Sequence, residues 1–328
     1  MRHQAFLGSI VFAISTMLHA QSPLRVMSFP GGANLPLWVA EDRGMFARQR
    51  LDVSVSPAPN SVELFRDLDA GQQDIAMAAF DNVVAYQEGQ GEAALSTPPD
   101  FFAFMGITRG TLRLVVSPSI MGYDDLRGKT LGVDAVTTGY SLVLRKLLQH
   151  GGLKEGDYQL VSVGGTQARA QRLMEDKFSG TILTTPLELL PESRGFRRLA
   201  NAADVLGPYQ SIVGISRRQW AARNKDTLVR FIRASTEAID WLFDPGNRRA
   251  AAAIYQRHSP SSSEDSALRD VNALLDEREG FSRRGQLDSE GMMTVLRIRS
   301  ELGIPHKSLT EPSRYIDERF QMAAAARF

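Results

Sequence analysis

The chain has 328 residues, with 38 Lys and Arg against 37 Asp and Glu, 43% hydrophobic residues and no cysteine. That length suits about two domains, or two lobes of one, in a globular protein. The missing thiol excludes disulfides, iron–sulfur clusters, thiolate zinc sites and cysteine nucleophiles, and no basic block offers an electrostatic grip on nucleic acid.

The first twenty residues have the pattern of a secretory signal. Arg2 supplies the positive start, Ala5 to Leu18 is mostly apolar, and Ala20 precedes a plausible cut. The apolar run is short of the roughly 20 residues a membrane-spanning helix needs. Leu18 stands where a small residue is usual, and a buried N-terminal helix is the alternative. Cleavage after Ala20 removes Arg2 and no acid, leaving 37 basic and 37 acidic groups. With no cysteine at the cut, the mature protein is expected to be exported, soluble and not lipid-anchored.

From Leu24 onward strand-like and helix-like segments alternate. Leu24–Phe29 reads as a strand, followed by a Gly-Gly loop and a helix from about Pro36, since proline is tolerated in a first helical turn. Leu51–Ser56 alternates like a second strand. Asn60 and Glu63 have capping-box spacing and open a helix that Gly71 stops. Asp74–Ala79 is a short apolar strand, and Asp81 or Asn82 is placed to cap a helix running to Gly89. Phe102–Thr108 and Leu112–Ser117 follow as strands. The alternation then restarts with strand Thr130–Ala135, helix Thr138–His150, strand Tyr158–Val163, helix Thr166–Lys177 and strand Gly180–Thr184. After a strand at Ser211–Ser216 the chain is nearly all helical. The clearest helix is Asp226–Phe243, with Leu228, Phe231, Ile232, Ile239 and Leu242 spaced for one face. This is the pattern of an α/β protein with a helical C-terminal part.

Catalytic signatures mostly fail. Beyond the signal only His150, His258 and His306 remain, and none belongs to a paired metalloprotease motif. There is no G-x-S-x-G elbow, P-loop or G-x-G-x-x-G. The Gly-Gly pairs at 31–32, 151–152 and 164–165 lack a third glycine and read as turns or caps. No catalytic residue, metal ligand or cofactor is therefore assigned. What remains is a set of polar and aromatic residues at strand carboxyl ends, where open α/β sheets bind ligands: Asn34 and Trp38; Asp81 and Asn82; Thr137, Thr138, Gly139 and Tyr140; Thr184 and Thr185; and Tyr209. Each has a bland alternative. Asp81 and the threonines could be helix caps, and Trp38 could be core.

These same stretches resemble the periplasmic solute-binding proteins of ABC importers, in the branch handling nitrate, sulfonates, taurine and thiamine pyrimidine precursors. The resemblance lies in Leu35–Val55 (LPLWVAEDRGMFARQRLDVSV), Leu68–Ala76 (LDAGQQDIA), Asp125–Val133 (DLRGKTLGV) and Val163–Leu173 (VGGTQARAQRL). It implies a two-lobed type II periplasmic-binding fold, with residues 21–110 and 212–328 in lobe 1, residues 111–211 in lobe 2, and crossings near Thr108–Leu114 and Tyr209–Gly214. It further implies a monomer that captures a small organic solute between closing lobes and delivers it to an ABC permease and ATPase. By motif position ten of these residues, Asn34 to Thr185, are the expected ligand contacts, with Asp81 holding a donor on the solute; Tyr209 joins them on its own residue type, as a tyrosine hydroxyl beside a Gly-Pro turn near the cleft. Two rivals remain open: an enzyme on the same scaffold acting on a small pyrimidine-like or related metabolite, and a ligand-presenting subunit of a membrane sensor. A transcription-regulator effector domain is disfavoured by the signal and the lack of a helix-turn-helix.

Overall fold

The computed structural model describes residues 23–96, 98–259 and 263–326; the expected signal segment lies outside them. In chain order the elements are β1 (Leu24–Ser28), α1 (Leu35–Asp42), α2 (Met45–Arg48), β2 (Val53–Pro57), α3 (Ser61–Asp69), β3 (Ile75–Ala79), α4 (Phe80–Gln87), β4 (Phe101–Gly106), β5 (Leu112–Val116), β6 (Thr130–Val133), α5 (Gly139–His150) and β7 (Gln159–Ser162). There follow α6 (Thr166–Met174), β8 (Gly180–Thr184), α7 (Leu189–Ser193), β9 (Arg197–Asn201), α8 (Ala202–Leu206), β10 (Ile212–Arg217) and α9 (Arg218–Arg223). The C-terminal helices are α10 (Lys225–Phe243), α11 (Arg248–His258), α12 (Glu264–Leu274), α13 (Ser289–Leu302) and α14 (Arg319–Ala325).

Two five-stranded sheets form, in the orders β2-β1-β3-β10-β4 and β7-β6-β8-β5-β9. In each, three parallel strands are followed by two strands linked antiparallel. The chain leaves the first sheet after β4 and returns to it at β10. The two passages run side by side: the Gly110 amide donates to Tyr209 O at 2.9 Å, and the Ser211 amide to Thr108 O at 3.2 Å. The Gln210 side-chain amide adds a bond to Thr108 O at 3.1 Å. Among the described residues no helix is long and apolar enough to cross a membrane.

The periodicity of α10 does what its spacing predicts: Leu228, Phe231, Ile232, Ile239 and Leu242 are all fully buried. Asn60 caps α3 by accepting from the Glu63 amide at 2.8 Å. Glu63 answers through its side chain rather than by accepting from the Asn60 backbone, because Asn60 Nδ2 donates to Glu63 Oε1 at 3.0 Å. Two local expectations are corrected, and one strand was not anticipated. Strand β9, polar and at a sheet edge, has no apolar alternation to announce it. Helix α4 begins at Phe80 behind Ala79 with no side-chain cap, so neither Asp81 nor Asn82 caps it. Thr138 is the residue before α5, yet its hydroxyl donates to Ala135 O at 2.8 Å instead of capping the helix.

Candidate functional site

The carboxyl ends of β1, β3, β6 and β8 converge on a chamber between the two sheets, enclosing about 630 Å3 with its open mouth included. From the first sheet come the loop Phe29–Ala33, Ala78 and Ala79 at the end of β3, and Asn82 in the first turn of α4. From the second come Asp134, Thr138 to Tyr140 at the start of α5, Gly165, Thr166 and Arg169 at the start of α6, and Thr184. This is where an open parallel sheet presents backbone and loop groups to a ligand.

Two helix N-termini, those of α5 and α6, face this space, and neither has a side-chain cap. Uncapped N-termini present backbone N–H donors and the positive end of the helix dipole. Arg169 adds a guanidinium that is 1% exposed. It donates only to neutral acceptors: Nε to Thr181 Oγ1 at 3.1 Å, Nη1 to Gly164 O at 2.6 Å, and Nη2 to Thr166 Oγ1 and Ile182 O at 3.1 Å. Burial, the largest influence, pulls its pKa below the ordinary arginine value. Opposite in character is Asp134. Its Oδ2 accepts from the Ser61 amide of α3 at 3.3 Å, across the chamber mouth, while its Oδ1 is buried with no partner. A buried carboxylate oxygen left without a donor costs free energy until something supplies one. The chamber therefore offers backbone donors from α5 and α6, the nearby positive charge of Arg169, and one acceptor in need of a donor. Tyr140 closes its inner end: the hydroxyl pairs with Ser211 Oγ at 2.6 Å, and burial pushes the phenol pKa up to about 12.

Of the expected contacts, Asn82, Thr138, Gly139, Tyr140 and Thr184 line this chamber. The others have different work. Asp81 is 2% exposed and gripped end-on by Arg299, itself 1% exposed, through Nε to Oδ1 at 2.6 Å and Nη2 to Oδ2 at 2.5 Å. Arg299 also donates to Gln90 Oε1 at 3.2 Å and to Thr137 O at 2.9 Å. Asp81 is thus neither a cap nor a free acceptor; it is half of a buried ion pair that ties α4, α13 and the α5 loop together. Gly139 is required beside it, because a Cβ there would collide with the Asp81 carboxylate.

Thr137 turns its hydroxyl outward to Glu92 Oε2 at 2.9 Å. Thr185 donates to Glu188 Oε1 at 2.7 Å and is buried away from the chamber. Asn34 holds the Phe29–Ala33 loop by bonding Ser28 Oγ at 2.5 Å and Phe29 O at 2.9 Å. Tyr209 is buried beside Tyr140, with ring centroids 6.5 Å apart. Trp38 lies in a separate outer groove, stacked on His258 at 4.5 Å. Phe29, Asp134 and Arg169 escaped the sequence reading. The strand-end rule reaches Asp134, which directly follows β6, whereas nothing local marks Arg169, one turn inside α6.

The arginine pairs at 217–218 and 283–284 read as solvated faces, and three of these side chains are engaged, Arg217 by donating to Asp69 O at 3.4 Å. Arg218 lies over the Phe102 ring at 5.0 Å, and Arg283 lies over Phe243 at 4.1 Å while pairing with Glu277 at 2.5 Å.

Comparison with known proteins agrees with this geometry. A family model described as NMT1/THI5 like matches residues 33–247. A Bacillus subtilis protein named as a candidate binding protein, YtlA, is 26% identical over 216 residues, covering 63% of this chain. The match spans 62% of that relative's own length. Among solved structures, the periplasmic nitrate-binding protein NrtA from Synechocystis has a TM-score of 0.74 at 13% identity, over 93% of this chain and 89% of the other. The ligand-binding component of an ABC-type import system from Staphylococcus aureus, solved with zinc bound, has a TM-score of 0.73 at 14% identity, over 93% and 99%. The fold is that of the periplasmic binding proteins.

Proposed function

Because the chain belongs to the NMT1/THI5-like family, we propose that it is a periplasmic solute-binding component of an ABC importer, capturing one small polar solute in the chamber and handing it to a membrane permease. The observation that carries this reading is the pairing of uncapped helix N-termini with Asp134 Oδ1, a buried acceptor without a partner. A solute that accepts from α5 or α6 and donates to Asp134 satisfies both sides at once. One with an acidic or carbonyl end and an amine, amide or ring N–H end meets that demand; a bare anion meets only half of it.

Capture follows from the paired crossings. Two strands of backbone at 107–111 and 207–211 join the sheets, so small torsional changes there open the mouth. Closure brings Asp134 onto the Ser61 amide, and the Gly165 amide onto Pro59 O at 3.0 Å. The side chains also favour retention over chemistry. Tyr140, with its phenol held up to about 12, keeps its proton at neutral pH and serves as a positioned donor or acceptor.

The test is a thermal-shift panel of taurine, ethanesulfonate, nitrate and an aminopyrimidine. A true ligand stabilises the fold by about 2.7 kcal/mol at a hundredfold excess over its dissociation constant, and small-angle scattering should show compaction with it. Conversion of the hit into a new product would move the protein to the enzyme class.

A further inference from the structure

Beside the chamber lies a second, wider space of about 1880 Å3, open to solvent. Pro30 and Gly31 line both. The partition is thin: Leu187 approaches Gly31 so closely that a Cβ there would sit 3.4 Å from its Cδ1. The two walls of this outer groove differ in chemistry. On the second-sheet side, Ala170 and Met174 of α6 with Leu187, Leu189 and Leu190 make an apolar face, and Leu190 is 40% exposed.

The facing wall is aromatic and acidic. His258 stacks parallel on Trp38, 4° between planes, and is itself exposed. Tyr255, one turn earlier on α11, meets the Trp38 edge at 6.0 Å and hydrogen-bonds the Asp270 carboxylate of α12. Asp270 is partly buried in the groove. The other charged groups lining it are Arg269, exposed on the same helix, and Glu192 across the gap.

We propose that this outer groove is a second binding site, independent of the inner chamber, for an organic ammonium carrying a planar or apolar body. The ring extends the Trp38–His258 stack against the leucine face, and the ammonium donates to Asp270 beside Tyr255. Aromatic faces joined to a carboxylate suit a cation with an apolar body, because the ring quadrupole and the carboxylate attract the charge while the apolar wall covers the rest. A carboxylate accepts only, so a neutral hydroxyl in place of the ammonium loses the ionic part of the bond.

Phenethylamine and its neutral isostere 2-phenylethanol are the probes, titrated by calorimetry into the full-length mature protein. The amine should bind, and the alcohol should bind at least about tenfold more weakly, the order expected when a charge-assisted bond becomes neutral. Asp270→Asn should bring the amine down to the level of the alcohol, and His258→Ala, at an exposed position, should weaken both probes. Asp134→Asn separates the two sites, because it alters the chamber alone and should leave the amine affinity in place. No binding of phenethylamine at millimolar concentration overturns the proposal. So does equal affinity for both probes, or a loss of amine binding that follows Asp134→Asn instead of Asp270→Asn. A chamber that captures its solute while the groove ignores the amine leaves the proposed function standing and removes this site alone.

Discussion

The seam that the Asp81–Arg299 pair makes between α4, α13 and the loop before α5 lies a few residues from the chamber, and the two treat their charges in opposite ways. In the seam, Asp81 has both oxygens filled by Arg299, and two of the remaining guanidinium hydrogens go to Gln90 Oε1 and Thr137 O. In the chamber, Asp134 keeps one oxygen without a donor, and Arg169 rests on neutral acceptors alone. A charged group saturated by its own protein fixes architecture. One left short of partners is available to something else, at a free-energy cost that a ligand can relieve. The type of residue does not separate the two cases; the partner list does.

The largest expected effect tests the seam. Arg299→Ala strands Asp81 as a buried unpaired carboxylate and should destabilise the fold by about 3–5 kcal/mol, read from urea unfolding curves. Replacing both partners, Asp81→Leu with Arg299→Met, should recover much of that loss, since apolar groups of similar volume carry no desolvation cost. A loss in Arg299→Ala no larger than at an exposed arginine such as Arg48 would show the pair to be decorative.

Smaller is the hydroxyl bridge where seam and chamber meet. Tyr140→Phe removes the bond to Ser211 Oγ and should cost about 1 kcal/mol, with the solute affinity changing only if the phenol also touches the solute. The smallest effect belongs to the outer groove. There burial, outweighing the Tyr255 hydrogen bond and Arg269, pushes the Asp270 carboxyl up to about 6. A carboxyl whose pKa is raised on folding holds its proton more tightly in the folded state, so it lowers stability as pH rises from its unfolded value through the folded one. Stability should therefore decline gently between about pH 4 and 6, and Asp270→Asn should flatten that part of the curve. A rise over the same window, traceable to Asp270, would contradict the assigned environment.

The sequence carried the architecture further than the site. Strand and helix periods located nine of the ten strands among the described residues, because burial of a sheet or helix face imposes spacing that is visible residue by residue. Strand β9 hid because Arg197 and Arg198 at a sheet edge obey no such rule. The strand-end rule pointed to loops that meet at the chamber, and Asn82, Thr138, Gly139, Tyr140 and Thr184 line it. It could not assign Asp81, whose partner Arg299 is 218 residues away on a helix with no local signal. Long-range pairing decides which carboxylate is free, and no window of neighbouring residues contains it.

The most direct measurement is the affinity of the panel's best solute for the wild type and for Asp134→Asn, with unfolding curves run beside it. Asparagine keeps the shape and removes the charge, so affinity should fall about ten- to hundredfold, as for a charged hydrogen bond of about 1.5–3 kcal/mol. Stability without solute should change little. Unchanged affinity in Asp134→Asn, with the solute still bound and the lobes still compacting, would contradict the claim that binding resides where the protein leaves its own charge unsatisfied.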